Sequence, residues 1–135
     1  MNRKQLVMQY RTTRKIKGHR PAIIFLKKNI GQIYNEGSAD FMMSIGKEDL
    51  YFQRLSTFTK KLIPEKDFQI HLNRVKTYHL RQINPMTQCL TLYTAEKFFL
   101  EIFFYCNLPD SYETEANIES MIKILEERGV NEVKL

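Results

Sequence analysis

"LTLYTAEKFFLEIFFYC", residues 90–106, is the most apolar stretch of the chain, and three readings compete for it: a membrane segment, a buried helix, or two strands folded back on each other. Glu96, Lys97 and Glu101 interrupt it, which leaves it well short of the roughly 18 clean residues of a membrane helix. Period separates the other two. Phe98, Leu100, Ile102 and Phe104 share one face of an extended chain, and Phe99, Glu101, Phe103 and Tyr105 share the other, apolar with a carboxylate in its middle. Leu90 and Leu92 alternate in the same way against Cys89, Thr91 and Tyr93. A helix would spread both sets around all its sides. The stretch predicts a β-hairpin, with strands over 88–94 and 98–105 and a turn at Ala95–Glu96.

That hairpin places Cys89 and Cys106 about four residues out of register, a gap on the order of 10 Å and beyond the reach of a disulfide. Both are expected as free thiols, as in a reducing compartment.

Downstream the period changes. Ile118, Met121, Ile122 and Leu125 recur at helical spacing, so a helix is expected over about 111–128, with Asp110 and Glu113 as a capping box or Ser111 as the cap. Upstream, "AIIFLKK" (22–28), "DFMMSI" (40–45), "LYFQRL" (50–55), "TFTKKLI" (57–63), "FQIHL" (68–72) and "VKTYHLRQI" (75–83) read as strands, and a short edge strand over 5–12 fits the alternation of Leu6, Met8 and Tyr10.

The net charge of +6 is concentrated at one end. Residues 1–35 hold nine Lys or Arg and no acid, and the remaining hundred carry twelve basic and fifteen acidic residues. Residues 1–20 therefore read as a basic N-terminal arm, 21–129 as one domain with its terminal helix, and 130–135 as a short tail. Basic segments attract phosphate-rich surfaces without distinguishing nucleic acid from anionic lipid. The residues expected at such a surface are Arg3, Lys4, Arg11, Arg14, Lys15, Lys17, Arg20, Lys27 and Lys28. With no leader-like or membrane-spanning run, the expected location is cytoplasmic, with peripheral attachment to a membrane allowed.

Short antiparallel strands followed by one amphipathic helix resemble the pleckstrin-homology (PH) superfold, and within it the bacterial PH and GRAM-like domains. The residues that carry the resemblance are Leu50–Phe52, Ile70–Leu72–Val75, Leu90–Thr94 and Ile118–Leu125, within a match over roughly 20–128. It implies a mainly β domain, a bent sandwich or barrel of about seven antiparallel strands capped by the C-terminal helix. Two departures stand out. The terminal helix has no Trp, and after Lys27 and Lys28 the next segment, "DFMMSI", lacks the arginine of a phosphoinositide-binding pattern.

No catalytic, phosphate-loop or dinucleotide motif occurs, and His71 and His79 have no ligand-like spacing with Asp67, Glu65 or Cys89, so neither enzyme activity, cofactor nor metal is expected. The leading expectation is a non-enzymatic PH-like binding or scaffold module that recruits a protein partner, with an anionic membrane surface as its setting. Phe99, Phe103 and Tyr105 are the candidate partner-docking residues, unless they pack beneath the helix or the other strands. Nucleic-acid binding through the basic arm and a small-ligand site inside the sheet are the alternatives.

Overall fold

The computed structural model describes residues 3–12 and 15–134, with the backbone alone at residues 4, 11 and 12. Its frame is one eight-stranded sheet: β1 (His19–Leu26), β2 (Ala39–Ile45), β3 (Asp49–Leu55), β4 (Phe68–His71), β5 (Val75–Asn84), β6 (Thr87–Thr94), β7 (Phe99–Tyr105) and β8 (Asn131–Glu132). Among the described residues two α-helices complete it, α1 (Arg3–Thr12) and α2 (Tyr112–Glu127).

The order across the sheet is β4-β3-β2-β1-β7-β6-β5-β8. Two antiparallel meanders, β1–β4 and β5–β7, are joined where Phe25 of β1 faces Phe103 of β7. The expected hairpin is β6–β7, with Tyr93 opposite Phe99 and Thr87 opposite Tyr105. Cys89 pairs with Phe103, three residues short of Cys106, and both thiols are free and buried.

The meanders enclose a core that their alternating residues predict. Ile24 and Leu26 of β1, Phe41 and Met43 of β2, Phe52 of β3, and Leu100, Ile102 and Phe104 of β7 are all sequestered there. α2 closes it with Ile118, Met121, Ile122 and Leu125, the four residues of the apolar stripe. The helix is tied to β1 by Asn117 Nδ2, which donates to the Pro21 carbonyl at 2.8 Å. That carbonyl belongs to an irregular start of β1, where the register shifts between His19 and Ala22 and Arg20 has φ 57°. A proline is tolerated there because the ladder is already broken. The mainly β architecture capped by a C-terminal helix is as expected.

Four local expectations are corrected. Residues 3–12 form a helix, not an edge strand. Leu6, Val7 and Tyr10, spaced i, i+1, i+4, bury themselves against Met42 and Leu55 on the outer face of the first meander, while Met8 is 53% exposed. Tertiary burial of that stripe outweighs the weak alternation. The basic segment is thus docked over its helical part. Residues 57–63 are a loop, held to β3 by a Leu55–Leu62 bridge and by Ile63 N–H to the Arg54 carbonyl at 2.9 Å. Lys60 there has φ 56°, and the loop closes on itself through Ser56 N–H to the Lys61 carbonyl. At α2, Asp110 is engaged by Arg3 instead of completing a capping box, and Ser111 takes the N-cap position without a side-chain cap bond, its hydroxyl within hydrogen-bond distance of the Leu108 carbonyl and of Glu115. Finally, the fold runs past 129 into the expected tail: Val130 joins the core, and Asn131–Glu132 pair in parallel with Thr77–Tyr78 of β5.

Candidate functional site

Antiparallel pairing puts three connections at one end of the sheet. The β1–β2 loop (27–38) and the β3–β4 loop (56–67) flank β2 at the end where Leu26 meets Ala39 and Asp40 meets Leu55. The β6–β7 turn joins them, since Ile33 N–H donates to the Phe99 carbonyl at 2.8 Å and Gln32 bridges to Phe99. Arg20, at the start of β1, lies at the opposite end.

Two hollows open beside these loops, and their charges are opposite. One, of about 320 Å³, lies between the β1–β2 loop and the segment entering β4, and is lined by Glu36, Glu65 and Asp67 against a single Lys66. It repels anions. The other, of about 680 Å³, is a cleft between the end of α1 and the β3–β4 loop, lined by Lys15, Lys17 and Lys61 against Asp67 alone.

The cleft has a fixed floor. Gln53 is only 4% exposed; its Nε2 donates to the Lys15 carbonyl at 2.7 Å and its Oε1 accepts from Lys17 N–H at 3.0 Å. One buried amide therefore straps the segment carrying both lysines across β3. Asp67 Oδ1 accepts from Arg54 N–H at 2.8 Å, and its Oδ2 lies 3.5 Å from Lys17 Nζ. On the far wall, Tyr10 donates its hydroxyl hydrogen to the Lys60 carbonyl, which holds α1 against the loop. Burial raises the Tyr10 pKa above its ordinary value.

The remaining sequence-predicted residues are dispersed. Lys4, Arg11 and Arg14 lie outside the described side chains. Arg3 contacts Asp110 and covers the Tyr105 ring at 4.6 Å. Lys27 sits over the Phe103 ring at 4.7 Å, and Lys28 is exposed beside it. Phe103 and Tyr105 face away from the main core, alongside Phe25, which stacks on Phe103 at 5.3 Å. This aromatic row is covered by its own neighbours and by two cations rather than by α2; Phe103 is buried and Tyr105 exposed. Phe99 packs beside Gly31, next to this row. Lys61 escaped the sequence reading because "TFTKKLI" alternates like a strand; the paired lysines inside it were the signal that it is a loop.

Among the described residues, no three His, Cys, Asp or Glu side chains are grouped to hold a metal, and no helix is long and apolar enough to cross a membrane. His71 accepts from Asn73 N–H at 3.2 Å and lies 3.4 Å from Glu48, while His79 bonds the Val133 carbonyl at 2.8 Å.

No family model matches the chain, and no curated protein does. A solved structure does. The hSac2 domain from the human phosphoinositide phosphatase Sac2 superposes with a TM-score of 0.56 over 100% of this chain and 92% of that one, at 14% sequence identity. At that identity the likeness is one of fold.

Proposed function

We propose that the chain is a PH-like, non-enzymatic binding module that attaches to an anionic membrane surface through the lysine cleft and its neighbouring loops, leaving the rest of its surface to recruit a protein partner. The observation that carries this reading is the cleft itself: two lysines gathered by a buried glutamine and a third, Lys61, on the facing loop, against one carboxylate, in a hollow of about 680 Å³. Each lysine held near an anionic leaflet contributes about 1 kcal/mol of attraction. The acidic character of the neighbouring hollow argues against a phosphorylated headgroup entering between the β1–β2 loop and β4.

A domain of a phosphoinositide phosphatase shares the fold, which is compatible with work at a lipid surface but does not choose it. Nucleic acid is the less favoured partner: the sheet presents no basic stripe, and the first turn of α2 carries Glu113 and Glu115. Co-flotation with phosphatidylserine-containing and pure phosphatidylcholine vesicles tests the reading, which requires salt-sensitive binding to the former alone.

A further inference from the structure

Two large apolar side chains stand almost entirely in water: Ile30 is 94% exposed and Phe58 97%. They sit on the β1–β2 and β3–β4 loops, at the same end of the sheet. Exposure of a single apolar residue is ordinary. What sets this pair apart is that each loop is built to hold its tip outward.

Ile30 follows Asn29 in a tight turn closed by Gln32 N–H to the Asn29 carbonyl at 3.1 Å. The turn is riveted to β7 by the Gln32 side chain, itself 6% exposed. Its Oε1 accepts from Glu101 N–H at 2.6 Å, and its Nε2 donates to the Lys27 and Tyr34 carbonyls. Asn29 Nδ2 adds a bond of 2.9 Å to Glu101. Gly31, at φ 82°, lets the chain pass the Phe99 ring, which would lie 3.3 Å from a Cβ.

Phe58 has a similar mount. Ser56 Oγ accepts from Thr59 N–H at 3.1 Å, the Ser56 carbonyl accepts from Lys60 N–H at 3.1 Å, and Lys60 is anchored by Asp40. These bonds fix the backbone on either side of both tips, and from it the two side chains project into water.

Lysines border both tips, Lys27 and Lys28 before Ile30 and Lys60 and Lys61 after Phe58. Phe98, 48% exposed next to Lys97, stands on the β6–β7 turn at the same end. Isolated apolar tips on separate loops do not form the contiguous patch that a protein interface buries. They suit a fluid medium that accepts side chains singly beneath a layer of negative charge.

Resting on the membrane reading above, we infer that Ile30 and Phe58 insert together into the hydrocarbon of an anionic bilayer, with Lys28 and Lys61 at the level of the headgroups.

The chain has no Trp, so I30W and F58W are single-tryptophan reporters. On phosphatidylserine-containing vesicles, both are expected to shift to the blue and to be quenched by brominated acyl chains. The I30S/F58S double variant, altered only where side chains face water, should partition on the order of a hundredfold more weakly, roughly tenfold per side chain, and lose binding that survives high salt. If the unmodified chain binds these vesicles while both reporters stay in water and I30S/F58S binds as well as it does, insertion is overturned and electrostatic attachment stands. If the unmodified chain fails to bind at any salt, both fall.

Discussion

Arg3 meets Asp110 across 107 residues of sequence, its backbone N–H donating to one carboxylate oxygen at 3.1 Å and its guanidinium contacting the other. The start of α1 is thereby fastened to the connection between β7 and α2, while Leu6, Val7 and Tyr10 seal the outer face of the first meander. The basic segment is part of the domain over its helical length.

Leu6→Ala should therefore destabilise the whole domain by about 2–3 kcal/mol, because a 5% exposed side chain leaves a hole against Met42 and Leu55. Urea unfolding followed by far-UV circular dichroism checks this. A loose arm would give no change in midpoint.

Gly18→Ala should cost about 1–3 kcal/mol, since a Cβ there would lie 2.7 Å from the Ile45 carbonyl oxygen, a backbone atom with little room to move. Gly31→Ala should cost more than about 1 kcal/mol, through its left-handed φ. Thermal denaturation of the two variants measures both effects.

Cys89 is fully buried, and burial raises its thiol pKa; Cys106 is 1% exposed. Neither should react with a thiol reagent at neutral pH in the folded protein, and both should react in denaturant. Rapid labelling of either in the native state would show that the β6–β7 hairpin opens.

Tyr78 is 5% exposed, and its pKa is pushed up to about 12, chiefly by burial and then by the hydroxyl it donates to Glu126 at 3.0 Å. The folded state therefore holds this proton more tightly than the unfolded chain does. Its contribution, on the order of 2 kcal/mol, is fully present below pH ~10 and is lost as pH rises from there toward about 12. Stability measured across that window should fall, and Tyr78→Phe should remove part of the fall. An unchanged slope in the variant would place the titration elsewhere.

Period carried most of the architecture. β6, β7 and the stripe of α2 were legible because each pairs strict alternation or helical spacing with burial on one face, and the β6–β7 register was missed by a single residue. α1 was not legible, because three apolar residues in a charged decapeptide specify a helix only once β2 and β3 offer a surface to cover. The site was half legible. Lys15, Lys17, Lys27 and Lys28 were identified as a charge surplus, but a surplus has no shape. Gln53, an unremarked polar residue in a strand, gathers two of those lysines, and Lys61 joins them from a loop that resembled a strand. Long-range hydrogen bonds such as Gln53 to Lys15 leave no periodic trace.

The most direct measurement is vesicle partitioning of the unmodified chain and of a Lys15→Gln/Lys17→Gln/Lys61→Gln variant over a salt series, with phosphatidylserine present or absent. The account predicts binding that requires phosphatidylserine, weakens with salt, and drops on the order of a hundredfold in the variant. Equal binding by the two proteins, or indifference to phosphatidylserine, would contradict it.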